Sequence, residues 1–92
     1  MSSTVQEHVQ IVNEKGMHAR TASLFVQCVQ KFPQNQVTVE KDGNKVDGSS
    51  VLGLLTLSAS KGTSVLITVA GDAAADTLAS LVSLISGGFD EE

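Results

Sequence analysis

In Gly16-Met17-His18-Ala19-Arg20, a histidine and an arginine stand two residues apart where the pattern of a strand gives way to that of a helix. A neutral imidazole is a nitrogen nucleophile near physiological pH. Arg20 adds a permanently charged fork of donors whose geometry matches a phosphate. The first backbone N–H groups of a helix lack intrahelical partners, and the positive end of the helix dipole favours an anion there. Gly16 permits the sharp entry such a junction needs. These residues point to a ring that takes up a phosphoryl group and is stabilised while it carries it. The plainer alternative is that His18 only caps the helix or lies exposed in a loop.

Little else in the chain sets up chemistry. No second titratable group lies near His18 in sequence to act as acid or base, and there is no metal-ligand cluster or glycine-rich nucleotide loop. A chain of 92 residues has room for one domain, residues 1–92, and little volume for a substrate pocket. The residues therefore describe no enzyme in its own right, and no cofactor or metal site. Cys28 is the lone cysteine and reads as a small buried hydrophobe on a helix. His8 alternates outward on a strand and reads as a solvated surface residue. The acidic Asp90-Glu91-Glu92 reads as a frayed, solvated tail.

Composition excludes several partners. Three Phe, no Trp and no Tyr give no platform for stacking bases, and a net charge of −4 repels a phosphate backbone. Met1-Ser2-Ser3-Thr4 leads straight into a polar-alternating strand with no apolar signal region, and no apolar run is long enough to cross a bilayer. The expected setting is the cytoplasm, without membrane insertion.

Periodicity supplies the elements that must position His18. Val5, Glu7, Val9 and Ile11 alternate with polar residues, as in a half-buried strand. From Ala19 the period becomes helical, with Ala22, Phe25, Val26, Val29 and Phe32 on one stripe and Arg20, Ser23, Gln27, Gln30 and Lys31 opposite, until Pro33 stops the helix. Val37 and Val39 lead through the hairpin signal Asp42-Gly43 to Val46, a register that sets Val39 opposite Val46. Ser49 and Ser50 offer caps for a helix from about Val51 to Ala59, with Gly62 just past its end. Val65, Ile67 and Val69 form a fourth strand. A last helix buries Leu78, Leu81, Val82 and Ile85 and ends at Gly87-Gly88. The order βαββαβα places helices on one face of a mostly antiparallel sheet. Ferredoxin-like domains share that order, so a ligand-binding or regulatory module in which His18 is incidental stands as the rival reading.

The second helix is apolar most of the way round. If Leu54 and Leu57 face the sheet, Leu52 and Leu55 cannot both do so, and an exposed apolar patch of that kind marks a partner surface.

The run from Gly16 to Ala22, with Ser50-Val51-Leu52-Gly53-Leu54-Leu55 downstream, resembles the histidine-containing phosphocarrier (HPr) family of the bacterial phosphotransferase system, from Val5 to about Ile85. The closing Gly88-Phe89-Asp90-Glu91-Glu92 looks like that family's nitrogen-related branch. The resemblance implies an α+β open-faced β-sandwich, βαββαβ(α), with four antiparallel strands covered on one face by three helices. It implies that His18 accepts a phosphoryl group on Nδ1 from phospho-enzyme I and passes it to enzyme IIA-type proteins, serving sugar uptake or nitrogen-related regulation. Arg20 then stabilises the phosphate. Ser50 matches a serine that a dedicated kinase modifies in some bacteria. Met17, Thr21, Val51, Leu52 and Leu55 fall on the partner-binding surface of an expected monomer. Two positions depart from the pattern. Thr21 replaces the usual proline, exchanging a preset first turn for an N–H and a hydroxyl. Gln27 and Gln30 stand where many members carry lysine, which throws more of the docking onto the apolar patch.

Overall fold

The alternation read along the strands is realised as one antiparallel sheet. The structure is a computed structural model that describes residues 3–91; Met1 and Ser2 of the N-terminal run and Glu92 of the acidic tail lie outside the described residues. Strands β1 (Ser3–Gln10), β2 (Gln36–Lys41), β3 (Asn44–Asp47) and β4 (Ser64–Gly71) lie in the order β1-β4-β2-β3, every neighbouring pair antiparallel. Helices α1 (Ala19–Gln30), α2 (Val51–Thr56) and α3 (Ala74–Ser86) pack on one face, and a 3-10 turn follows at Gly88–Asp90.

Register brings the inward residues into line. Val9 pairs with Val65, Val5 and Val37 flank Val69, and Val39 lies between Ile67 and Val46. Asp42 and Gly43 both have positive φ, the geometry a two-residue hairpin requires. Val39, Val65, Ile67 and Val69 are fully buried beneath Ala22 and Phe25 of α1, Leu54 of α2, and Leu81 and Ile85 of α3. Phe32, Cys28 and Val82, expected on buried stripes, are only half-buried.

The second helix is shorter than its composition suggested. It ends at Thr56, not Ala59, because Leu57 and Ala59 are both buried although they stand two residues apart. No helix face can bury such a pair, since residues two apart point to nearly opposite sides. Ser58 takes a left-handed φ of 52° to turn the chain between them. Gly62 consequently does not close a helix. Its positive φ serves the turn Ser60–Thr63 that opens β4, closed by the Thr63 N–H on the Ser60 carbonyl at 3.0 Å.

That same turn meets the loop between β1 and α1. Gly62 N–H donates to the Ile11 carbonyl and Met17 N–H to the Ala59 carbonyl, each at 2.8 Å. Gly16 has a φ of +64°, and a Cβ on it would stand 2.5 Å from the Ala59 carbonyl oxygen and 2.9 Å from Ser60 Cα. Strain and backbone collision act together here, so Gly16→Ala should lower unfolding free energy by about 1–3 kcal/mol. Denaturant unfolding measures this directly, and an alanine variant with an unchanged midpoint would contradict the packing described.

Candidate functional site around His18

His18 is the residue immediately before α1, with extended dihedrals (φ −123°, ψ −174°) that let its carbonyl begin the helix. Its own N–H donates to Thr21 Oγ1 at 2.9 Å, and the Thr21 hydroxyl donates onward to the Gly16 carbonyl at 2.9 Å. His18 and Thr21 thus stand as a capping box, although the ring completes no full hydrogen bond to the Thr21 N–H. This is what threonine supplies at the position where proline was expected. A proline would restrict the backbone; Thr21 instead ties the helix start to the loop through its fully buried side chain.

Asn13 makes the second tie. Its amide nitrogen donates to the Gly16 carbonyl at 2.9 Å and to Glu91 Oε1 at 2.8 Å. Turning the amide round would face oxygen with oxygen at both contacts, so the orientation is settled by the partners. The remaining atom, Asn13 Oδ1, is buried without a hydrogen-bond partner among the described residues. Leaving such an acceptor unmatched costs about 1–3 kcal/mol, a sacrifice tolerated where a side chain must hold something else.

What it holds is Glu91. Glu91 Oε2 lies 2.8 Å from His18 Nε2 and 3.2 Å from an Arg20 terminal nitrogen. The Asn13 amide, before anything else, holds the Glu91 carboxyl below the usual glutamate range; partial burial opposes it, and His18 and Arg20 add to the lowering. The side chain of Glu91 is only 13% exposed, against 29% for His18 and 67% for Arg20. The carboxylate is therefore screened while ring and guanidinium stay accessible.

The segment that delivers Glu91 is unusual. Gly88, Phe89 and Asp90 all have φ between 56° and 69°. Left-handed geometry costs about 1–2 kcal/mol for a residue with a Cβ. Burying a phenylalanine returns about 1.5–3 kcal/mol, and Phe89 is buried in the core. The aromatic anchor therefore offsets much of the strain at Phe89 and Asp90 and aims the next residues at His18. An open cleft of about 510 Å³ beside it is lined by Arg20, Leu24, Phe89 and Glu91 among others.

The sequence-derived site is brought together in part. His18 and Arg20 meet at one carboxylate. Met17 and Thr21, expected on the partner surface, are buried, so neither side chain is presented to a partner. The supposedly solvated tail is a folded strap as far as Glu91, because Phe89 needs burial and Glu91 finds three partners. Asn13, Phe89 and Glu91 were missed as site residues. Phe89 carried the available signal, since a large apolar side chain before acidic residues does not suit a solvated tail. On α2, Leu52 is 76% exposed and Val51 and Leu55 are half-buried. Ser50 caps that helix by accepting from the Gly53 N–H at 3.0 Å. Gln27 and Gln30 are exposed on α1.

The family model described as "PTS HPr component phosphorylation site" matches residues 5–87. Phosphocarrier protein HPr of Neisseria meningitidis is 34% identical over 87 residues, covering 95% of this chain and 97% of the relative. Phosphocarrier protein NPr of Escherichia coli K12 is 33% identical over 89 residues, covering 97% and 99%. The crystal structure of an HPr from Thermoanaerobacter tengcongensis superposes with a TM-score of 0.90 at 40% identity, covering 96% of this chain and 98% of that one.

The lowered Glu91 carboxyl has a pH consequence. A carboxylate whose folded pKa is depressed stabilises the folded state above its ordinary pKa, and that contribution is lost as pH falls through the lowered value. The strap contacts should thus persist at neutral pH and weaken only in acid. The ¹³C resonance of the Glu91 carboxyl should titrate below an ordinary glutamate, and Asn13→Ala should move it upward. An ordinary titration, unaffected by Asn13→Ala, would contradict the contacts assigned to Glu91.

Proposed function

The chain belongs to the HPr/NPr family of phosphotransferase-system phosphocarriers, and within that role we propose that His18 is the residue that carries the phosphoryl group. The observation that carries this reading is the position of the ring, accessible at the start of the 12-residue helix α1 with Arg20 beside it. Nε2 is occupied by Glu91, which leaves Nδ1 as the nitrogen free to attack. The donor is phospho-enzyme I. Nδ1 attacks phosphorus, the donor's N–P bond breaks, and its electron pair stays with the donor nitrogen. Transfer to an enzyme IIA-type protein reverses these roles. Arg20 and the positive end of the α1 dipole stabilise the dianion between the two steps.

In this reading one domain spanning residues 1–92 works as a monomeric cytoplasmic substrate of its partner enzymes and catalyses nothing itself. Among the described residues no helix is long and apolar enough to cross a membrane. Val51, Leu52 and Leu55 form the docking patch. It is supported by the exposure of Leu52 beside the fully buried Leu54. Gly53 makes that placement feasible, since a Cβ there would lie 3.3 Å from Val46 Cβ and hold α2 away from β3. Ser50 is the regulatory position, open to a serine kinase and its phosphorylase. A phosphate on a helix-capping oxygen is tolerated by the dipole, yet it sets a dianion beside Val51 and Leu52, which must be desolvated when a partner docks.

With enzyme I and phosphoenolpyruvate, the chain should acquire an acid-labile phosphate that His18→Ala abolishes and His8→Ala leaves intact. Full labelling of the His18→Ala protein would overturn the assignment. The docking patch makes a separate claim. Leu52→Ala should weaken enzyme I binding with little change in melting temperature, whereas Leu54→Ala should cost about 2–5 kcal/mol of stability. A sharp melting loss in Leu52→Ala, with binding per folded molecule unchanged, would show Leu52 to be a core residue.

A further inference from the structure

Glu91 touches the ring nitrogen that the transfer does not use. Its carboxyl is held ionised by the Asn13 amide, so it has no proton to give and can only accept. The 2.8 Å contact with His18 Nε2 therefore requires the hydrogen to sit on Nε2. In a neutral imidazole that leaves the lone pair on Nδ1. We propose that Glu91 is a positioning residue for phosphoryl transfer, fixing the His18 ring in the Nε2–H form with Nδ1 as nucleophile and balancing the charge the ring gains on phosphorylation. The inference rests on His18 as the phosphoryl acceptor.

The step balances without moving a proton. As the N–P bond forms at Nδ1, the ring keeps its Nε2–H and becomes a cation, and the electron pair of the broken bond stays with the donor. The carboxylate 2.8 Å away then faces an imidazolium rather than an imidazole, so its attraction is greatest in the phosphorylated state. Its second contact, to Arg20 at 3.2 Å, keeps a guanidinium that is otherwise two-thirds exposed beside the ring. The carboxylate is itself fixed from behind. Asn13 spends one amide hydrogen on Glu91 Oε1 and the other on the Gly16 carbonyl, joining the carboxylate to the loop that starts α1. Phe89, buried two residues earlier, keeps the strap in place. A carboxylate behind a histidine that fixes its tautomer and ring orientation is a recurrent arrangement at metal sites, where its loss commonly lowers activity by one to two orders of magnitude.

The test combines the ¹⁵N shifts of the His18 ring with the rate of phosphoryl acceptance from phospho-enzyme I, in the full chain. The wild type and the neighbouring control Asp90→Asn should both show the Nε2–H tautomer and equal rates. Glu91→Ala should give a mixture of tautomers and accept phosphate roughly tenfold more slowly or worse. Glu91→Gln keeps the size and an accepting oxygen, so it should retain the tautomer at an intermediate rate, even if the alanine variant folds poorly. An Nδ1–H ring in the wild type overturns the proposal. So does an alanine variant with unchanged tautomer and rate, and so does faster acceptance, which would make the strap an obstruction. A wild type never phosphorylated on His18 would overturn the acceptor assignment and this inference with it. Normal labelling of a wild type indifferent to Glu91 overturns the inference alone.

Discussion

The carbonyl of Gly16 accepts two hydrogen bonds, one from the Thr21 hydroxyl and one from the Asn13 amide, both at 2.9 Å. Through the first it fixes where α1 begins and hence where His18 sits relative to the helix dipole. Through the second it fixes the amide that holds Glu91. Ring position and ring partner are thus set by one backbone oxygen. That oxygen is in turn placed by a left-handed glycine packed against Ala59 and Ser60. Neutral hydrogen bonds contribute only about 0.5–1.5 kcal/mol each to stability, so the value of this knot is geometric more than energetic. It converts a loop, which would otherwise sample many orientations, into a mount for one imidazole.

The balance of forces around the mount explains why a phosphoryl group would be held yet remain transferable. Positive character comes from the helix end and from Arg20, which is 67% exposed and therefore screened by solvent. Negative character comes from Glu91, shielded behind the ring. An arriving dianion meets attraction from the front and a countercharge at the back, a moderate grip suited to a carrier that must both accept and release. Docking is separated from this chemistry. The patch on α2 is apolar, and the chain carries net negative charge with neutral Gln27 and Gln30 on the exposed face of α1. If the proposed patch is where partners dock, that contact would lean on desolvating Leu52 and its neighbours, and little on charge.

Much of this was legible in the residues. The alternation of Val65, Ile67 and Val69, the Asp42-Gly43 hairpin and the stripe of α1 follow from backbone periods, which depend on local geometry alone. The strand order was not legible that way, since pairing β1 with β4 spans most of the chain and periodicity does not choose between strand orders. The end of α2 was misplaced because Leu57 and Ala59 are drawn to the core by tertiary packing, which overrides helical propensity. The largest gap lay in the Asn13–Glu91 contact, across 78 positions. An acidic run reads as solvated on composition, and only the burial of Phe89, a long-range fact, turns it back onto the site. His18 and Arg20 were visible because their chemistry is local; Glu91 was hidden because its role is created by folding.

We propose that the imidazole at the start of α1, engaged at Nε2 and free at Nδ1, carries the phosphoryl group. One spectrum addresses it. In the uniformly ¹⁵N-labelled chain, phosphorylated by enzyme I and phosphoenolpyruvate, the one-bond ³¹P–¹⁵N coupling identifies the bonded nitrogen, and the proton coupling of the other ring nitrogen reports its hydrogen. Phosphorus should appear on His18 Nδ1, with a hydrogen retained on Nε2. Phosphorus on His18 Nε2, or on any other residue, would contradict it.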